Sequence, residues 1–483
     1  MAAIIEIKGN KAKILGETDY MFLDGLDLEL SYMIAGAEYS QNYIRGRWDG
    51  RKRLLNNDLT FPIGLINRVK EYFDDNKKEV LILDKNSYTQ STPKSILDKL
   101  SSLNKKPRQY QIDSANLALE KKRGIIRCCT GGGKTLVSAL ITASIGKKTT
   151  IYVIGKDLLW QFHRFFSLIF DEEIGVIGDG ECKIRDINIA SIWSVGQAFG
   201  MRKKKQVVND DESDNEKCIS SSHYERIKRM VYSSELSIMD ECHLAAAETM
   251  QKISASMRSE YAFGMSASPY REDNADLLIE AIFGKIIVNI SASELIKQNY
   301  LVTPHIRFLK TNMKNTAYKT YPEIYKNCIV ENEERNNLIV KGAEKLVEQD
   351  FITMVLFKEL KHGKILYDKL NERNMNFHIL DGSDSSKNRQ YVLEEIENGK
   401  CKLVLASSIF DIGVDIPSLS GLILAGGGKS QVRGIQRIGR VIRPYEGKTM
   451  AAIIDFYDGV KYLKEHSIIR KTIYQSEDGF VVE

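Results

Sequence analysis

The stretch Ile125-Ile126-Arg127-Cys128-Cys129 runs straight into Thr130-Gly131-Gly132-Gly133-Lys134-Thr135, and this junction decides the fold. An apolar segment of strand length meets three glycines, and an apolar, helix-like segment, Leu136–Ile145, follows. That succession predicts a strand, a glycine-rich turn and a helix. Glycines let backbone N–H groups converge on phosphate oxygens, and the helix N-terminus adds partial positive charge. Lys134 would then reach the β- and γ-phosphates of a nucleotide, and the Thr135 hydroxyl would hold Mg²⁺. The full phosphate-loop pattern has glycine six residues before the lysine, where this chain has Cys128. On its own the stretch is also compatible with a merely glycine-rich turn.

Outward from this junction, short apolar strands alternate with helices. Thr150–Ile154, Ile187–Ile192, Leu236–Met239 and Tyr261–Ser266 read as buried strands; Leu158–Ile169 and Ala245–Met257 read as helices. Such alternation implies a parallel sheet covered on both faces. The style repeats after about Pro304. Strands are expected at Thr353–Phe357, Phe377–Leu380, Lys402–Ala406, Leu422–Leu424 and Ala452–Ile454. Helices are expected at Asn336–Glu348, Gly363–Asn371, Lys387–Glu397 and Gln431–Ile442. Before about Leu103 the pattern differs, with β-like Ile4–Ile7, Ala12–Leu15 and Val80–Leu83, a helix near Ile63–Phe73, and a polar linker, Lys85–Lys94. The expected domains are therefore 1–103, 104–301 and 302–483. Arg202–Lys205 is basic and Asn209–Glu216 acidic, and a run so hydrophilic reads as an exposed loop.

Bulk properties set bounds but do not choose among functions. The 483 residues are 43% hydrophobic and 28% charged, with a net charge of +5, an ordinary balance for a globular protein. The charge total does not identify a nucleic-acid binder. The seven cysteines form no C-x-x-C pair and no zinc spacing with histidine, so reduced thiols are expected. No apolar run approaches the ~20 residues that span a bilayer, and the N-terminus lacks a signal-peptide pattern. The expected compartment is the cytoplasm.

Two further elements speak to chemistry. Asp240-Glu241-Cys242-His243 follows the strand Leu236–Met239 directly. A carboxylate at the end of a buried strand is placed to hold Mg²⁺, and the adjacent glutamate to orient and deprotonate water for attack on a γ-phosphate. A surface Asp-Glu at a helix start is the plainer alternative. In the last third lies Gln436-Arg437-Ile438-Gly439-Arg440-Val441-Ile442-Arg443. Arg440 and Arg443 would share one helix face, and two guanidiniums suit the charge developing on a transferred phosphoryl group. Alone, this segment also fits a basic surface helix.

Together, and in this order, the elements resemble those of superfamily-2 helicases. Arg108-Gln109-Tyr110-Gln111 looks like the adenine-reading Q motif, Thr130–Thr135 like motif I, and Asp240–His243 like motif II. Val153-Ile154-Gly155-Lys156 resembles motif Ia, and Ala190-Ser191-Ile192-Trp193-Ser194 resembles motif Ib. Ser266-Ala267-Ser268-Pro269 looks like motif III, Phe410–Pro417 like motif V, and Gln436–Arg443 like motif VI. The resemblance covers about Asn104 to Asp455. It implies an α/β fold of two tandem RecA-like parallel-sheet domains behind a small α+β N-terminal domain, with ATP in the cleft between the two motor domains.

The resemblance also implies residue roles. ATP would be held by Arg108, Gln111, Thr130, Gly131, Gly132, Gly133, Lys134, Thr135, Gly413 and Asp415, and Mg²⁺ by Thr135 and Asp240. Catalysis would fall to Lys134, Asp240, Glu241, Gln436, Arg440 and Arg443. Lys156, Ser191 and Trp193 would touch nucleic acid, and Ser266, Ser268 and Asp415 would couple the two sites. Within the superfamily the likeness is to XPB- and UvsW-like DNA motors, because motif II is Asp-Glu-Cys-His and Phe283–Val302 is similar to their bridge between motor domains.

The N-terminal stretch Tyr43–Leu55 carries five basic residues and one acid, a net of +4. Arg45, Arg47 and Arg51 suit phosphates and Trp48 suits stacking on a base, while Trp48-Asp49-Gly50 reads as a hairpin turn. A structural hairpin with Trp48 in a small core is the alternative, and the two are compatible. The expected function is ATP-dependent remodelling of branched or forked DNA by a monomer. Phage-type replication, recombination or repair is the setting, with proteins of those processes as partners. The rivals are a duplex-DNA translocase that separates no strands, an RNA-directed helicase and an ATP-gated clamp.

Overall fold

The computed structural model describes residues 3–483 other than 18, 202–216, 247, 268–275, 314–317, 383, 385, 408–415 and 429–430. The charged 202–216 segment, Ser268, Gly413 and Asp415 thus lie outside the described residues. The chain divides into two compact units, one built mainly from residues up to Asn289 and the other from Ile290–Glu483 together with Cys129–Gly132.

The first unit begins with six short strands: β1 (Ala3–Lys8), β2 (Lys11–Leu15), β3 (Ser31–Met33), β4 (Arg51–Arg53), β5 (Thr60–Pro62) and β6 (Val80–Asp84). Four form a sheet in the order β5-β2-β1-β6, with β1 antiparallel to β2 and parallel to β6. Alternation along β1 and β2 buries Ile5, Ile7, Ala12 and Ile14 on one face. The helix Ile66–Asp75 covers that face with Val69 and Phe73. β3 and β4 pair apart from this sheet. Their connection runs from Ile34 to Gly50 and includes a short helix, Gln41–Ile44, so Trp48-Asp49-Gly50 is not the tight hairpin turn the sequence suggested. Gly50 has φ +79°, and a Cβ there would lie 2.6 Å from Met33 Sδ and 3.0 Å from Tyr43. Close packing of the loop back on β3 is what requires this glycine.

Eight strands make the main sheet of this unit: β7 (Arg123–Cys128), β8 (Thr149–Val153), β9 (Ile174–Gly178), β10 (Glu181–Lys183), β11 (Ile187–Ser191), β12 (Leu236–Asp240), β13 (Tyr261–Ser266) and β14 (Ile286–Ile290). Their order is β10-β9-β11-β8-β12-β13-β7-β14. Every pairing from β9 across to β7 is parallel. β8, β9, β11 and β12 are buried along their whole lengths, as strands between two helical layers must be. The N-terminal layer is fused to this one. Leu277 and Ala281 of the helix Asp276–Phe283 sit in the N-terminal core, and Arg68 grips Glu280 at 3.0 and 2.7 Å.

The second unit has seven strands: β15 (Thr303–Thr311), β16 (Thr353–Phe357), β17 (His378–Leu380), β18 (Leu403–Ser407), β19 (Gly421–Leu424), β20 (Met450–Asp458) and β21 (Val481–Val482). All run parallel in the order β17-β18-β16-β19-β20-β15-β21. The two parallel-sheet domains behind a small α+β domain are the architecture the motif order implied. The second unit begins at Ile290, ahead of the residue-302 boundary read from sequence. The helix Ala292–Lys297 packs with it, Ser293 Oγ accepting from Gly479 N at 3.1 Å.

Candidate functional site

Parallel strands bring the residues that follow them to one edge of a sheet. Along the eight-stranded sheet the glycine loop follows β7, Asp240 ends β12, Ser266 ends β13, Gly155-Lys156 lies just beyond β8, and Ser191 ends β11. Residues from five separate stretches of sequence thus meet on the carboxyl edge.

The loop has the conformation its glycines allow. Gly131 and Gly133 have φ +85° and +79°, the left-handed region that side chains resist. The helix Lys134–Ile145 starts immediately after Gly133, its first amides turned toward the loop. Cys128, where the full pattern has glycine, is the buried last residue of β7. Burial pushes its thiol up to about 11, so it stays protonated.

Around Lys134 the side chains form a connected set. Lys134 Nζ lies 2.8 Å from Glu241 Oε1, and His243 Nδ1 lies 3.3 Å from Glu241 Oε2. The same His243 nitrogen is 3.1 Å from Ser266 Oγ. Burial alone would raise the Glu241 carboxyl, but Lys134 and His243 together hold it well below the usual carboxylate range. Burial pushes the Asp240 carboxyl up, more than Lys134 pulls it down. Asp240 Oδ1 is buried and has no hydrogen-bond partner among the described residues. An unsatisfied buried carboxylate oxygen calls for a cation. With the Thr135 hydroxyl on the first turn of the helix, this donor set fits a hard divalent ion such as Mg²⁺.

Backbone geometry supports the arrangement. Glu241 has φ +51°, a non-glycine residue in the left-handed region, at a cost of about 1–3 kcal/mol. It is the hinge between β12 and the turn Cys242–Ala246. Cys242 fits beneath because β13 has glycine opposite: a Cβ on Gly264 would lie 2.8 Å from Cys242 Cβ. The third letter of Asp-Glu-Cys-His is therefore a packing choice matched to Gly264.

Gln111 is 3% exposed and lies against the loop, its Nε2 2.5 Å from where a Gly133 Cβ would be. Its Oε1 accepts from Arg108 N at 2.9 Å, and Arg108 Nη1 lies 3.3 Å from Tyr110 OH. Gln111 thus props the loop and caps its own helix, a part the sequence reading did not foresee. His243 was likewise missed as a bridge. Its only signal was its place three residues after Asp240.

The other expected residues are distributed as follows. Lys156 is paired with Asp179 at 3.0 Å, and Trp160 Nε1 donates to the same carboxylate at 3.1 Å. Trp193 is half-buried. Ser191 is fully buried at the start of the helix Ile192–Ala198. In the second unit, Arg440 lies in the helix Gln431–Val441, while Arg443 falls just past its end. Gln436 is in that helix, with its side chain outside the described residues. In the N-terminal layer Arg45 and Arg47 are exposed. Trp48 is half-buried, with Nε1 donating to Arg51 O at 2.9 Å. Arg51 reaches Ser31 Oγ at 3.3 Å, and Arg53 is paired with Asp27 and Asp49. The basic stretch therefore presents Arg45 and Arg47 outward while Trp48 is partly packed.

Three family models match the chain. Residues 104–271 match the res subunit of type III restriction enzymes, 335–445 the helicase conserved C-terminal domain, and 11–83 the N-terminal domain of the DNA helicase UvsW. Among curated proteins, the ATP-dependent DNA helicase uvsW of Enterobacteria phage T4 is 27% identical, over 92% of both chains. The DNA 3′-5′ translocase XPB2 of Sulfurisphaera tokodaii is 24% identical, over 70% of this chain and 78% of its own. Among solved structures, a fragment of an HsdR subunit of a type I restriction enzyme from Vibrio vulnificus shares the fold. Its TM-score is 0.57 at 19% identity, covering 90% of this chain and 76% of that one.

Proposed function

The chain belongs to the superfamily-2 helicases, and from that premise we propose that it is an ATP-dependent DNA helicase that remodels branched DNA by unwinding, branch migration or fork regression. The observation that carries the ATP-driven part is the linked set Lys134–Glu241–His243–Ser266 on the carboxyl edge of β7, β12 and β13. The DNA-directed part is supported by the match of residues 11–83 to a helicase N-terminal domain and by the uvsW relative.

In this reading the amides of Gly131–Gly133 and the Lys134 ammonium bind the β- and γ-phosphates. Thr135 and Asp240 would hold Mg²⁺, which when bound neutralises charge on the phosphate oxygens. Glu241, kept ionised, takes a proton from the attacking water. Arg440 and Arg443 stabilise the charge on the transferred phosphoryl group. His243 and Ser266 give the change at Glu241 a route to the end of β13, which suits coupling of hydrolysis to movement on DNA. The XPB2 relative supports a second reading, translocation along duplex DNA without strand separation.

Lys134→Ala tests the assignment. ATP turnover should fall by about a thousandfold or more, as expected when a group that meets the transferred phosphoryl charge is removed. DNA binding should be retained. Turnover at the wild-type rate would remove Lys134 from the site.

A further inference from the structure

In the second unit, three buried donors converge on one loop. β19 leads into Ala425-Gly426-Gly427-Gly428, and the helix Gln431–Val441 begins three residues after Gly428. Arg335 Nη1 donates to Ala425 O at 2.6 Å, Tyr325 OH to Gly426 O at 2.8 Å, and Arg470 Nη1 to Gly428 O at 2.6 Å. The donors come from three helices, the third far from the other two in sequence, and all three residues are at most 5% exposed.

Each guanidinium is itself held in place. Arg335 Nε is 3.2 Å from Asp458 Oδ1, and its guanidinium lies 4.4 Å from the Phe456 ring centre. Arg470 makes a forked pair with Asp455 at 2.8 and 2.9 Å. Both aspartates belong to β20, and Asp458 is its last residue. A buried ion pair is often no better for stability than apolar packing of the same volume. Stability alone therefore does not account for two of them aimed at carbonyls of one short loop. What they do supply is a loop position fixed by charge-assisted bonds.

Two further features tie this cluster to the arginine helix. Tyr474, one turn beyond Arg470, packs on that helix: a Cβ on Gly434 would lie 2.9 Å from its hydroxyl. Tyr325 closes the helix Tyr321–Tyr325 where the chain enters a π-helical turn, Lys326–Val330. Such turns are rare and concentrate at functional sites. Gly427 and Gly428, at φ +60° and +123°, give the loop the backbone freedom to offer its carbonyls to these donors.

We propose that Tyr325, Arg335 and Arg470 are positioning residues for ATP hydrolysis. They fix the Ala425–Gly428 loop and through it set the helix that carries Arg440 and leads to Arg443. The inference rests on the reading that these two arginines serve phosphoryl transfer.

The test is a kinetic cycle on the full chain with saturating DNA, comparing wild type, Tyr325→Phe, Arg443→Ala and the double variant. Tyr325→Phe keeps the ring and removes the hydroxyl that donates to Gly426 O. Its kcat should fall about fivefold, with KM for ATP and affinity for DNA within about twofold, because a displaced transition-state group lowers kcat alone. Arg470→Lys, which keeps the charge beside Asp455 but loses the fork, should behave alike. In the Arg443→Ala background Tyr325→Phe should cost clearly less than fivefold, since the share of its effect that acts through Arg443 is already gone and residues acting through one group are not additive. Wild-type turnover in Tyr325→Phe would overturn the proposal, and so would the same fivefold loss in both backgrounds. Wild-type turnover in Arg443→Ala would instead overturn the reading beneath it, and the proposal with it.

Discussion

His362 shows how a single buried side chain makes this fold sensitive to pH. It is fully buried, with Nε2 2.9 Å from Asn336 Oδ1, and its Nδ1 has no partner among the described residues. Burial, helped by the nearby Arg335 guanidinium, pushes its pKa down to about 3 from the ordinary 6.5. Between those values the unfolded chain binds a proton that the folded chain does not. Stability is therefore full above about pH 6.5 and falls as the solution is acidified through that window. At pH 5 the loss is about 2 kcal/mol. His362→Gln, whose amide can still donate to Asn336, should remove about that much of the difference in unfolding free energy between pH 7 and pH 5. An unchanged difference in denaturant titrations would contradict this account. Nothing in the sequence around His362 signals this burial. By contrast, Lys134, Asp240 and Glu241 were legible, because a glycine loop and a strand-ending acid pair are local patterns. The His243 bridge and the left-handed Glu241 were not, because they depend on how β12 and β13 lie side by side.

Among the elements, the contact that matters most for the substrate end is the seam between the N-terminal layer and the helix Asp276–Phe283. Gly64 lies so close that a Cβ there would fall 2.2 Å from Glu280 O and 2.5 Å from Ala281 O. Backbone on both sides leaves nothing free to move aside. Gly64→Val should separate the layer from this helix and destabilise the fold by about 1–3 kcal/mol or more. Hydrogen exchange should rise in Ile66–Asp75 and Asp276–Phe283, while exchange in β15–β20 should not change. Unchanged protection at the seam would rule out the seam as a rigid joint. The linker Lys85–Lys94 adds to this joint. Thr89 N donates to Glu235, Thr92 N to Gly146 O and Lys94 N to Ala143 O. These bonds were not legible, since a polar segment without periodicity reads as a loop whether or not it is tied down. Apolar runs such as Thr353–Phe357 and Tyr261–Ser266 were legible to the residue. β9, β10 and β21 were too short or too mixed to stand out, and the Trp48–Gly50 hairpin failed because glycine there serves packing against β3.

On the scale of the whole molecule, two parallel-sheet domains follow a small N-terminal layer, and that layer carries exposed basic side chains. Contacts dominated by phosphates are sequence-tolerant and weaken steeply with salt. The proposed function assigns specificity for branched DNA to the Tyr43–Leu55 region. There Arg45 and Arg47 face outward and Trp48 is half-buried, while Arg53 is occupied by Asp27 and Asp49. The most direct test compares ATP turnover stimulated by single-stranded DNA, duplex DNA, forked DNA and RNA at one salt concentration. The comparison is made for the wild type and for a variant with Arg45, Arg47 and Arg51 replaced by alanine. The account predicts that forked DNA stimulates the wild type most and RNA least, and that the variant loses the advantage of the fork while keeping its response to single strands. Stimulation by RNA equal to that by forked DNA, or no stimulation by any nucleic acid, would contradict it.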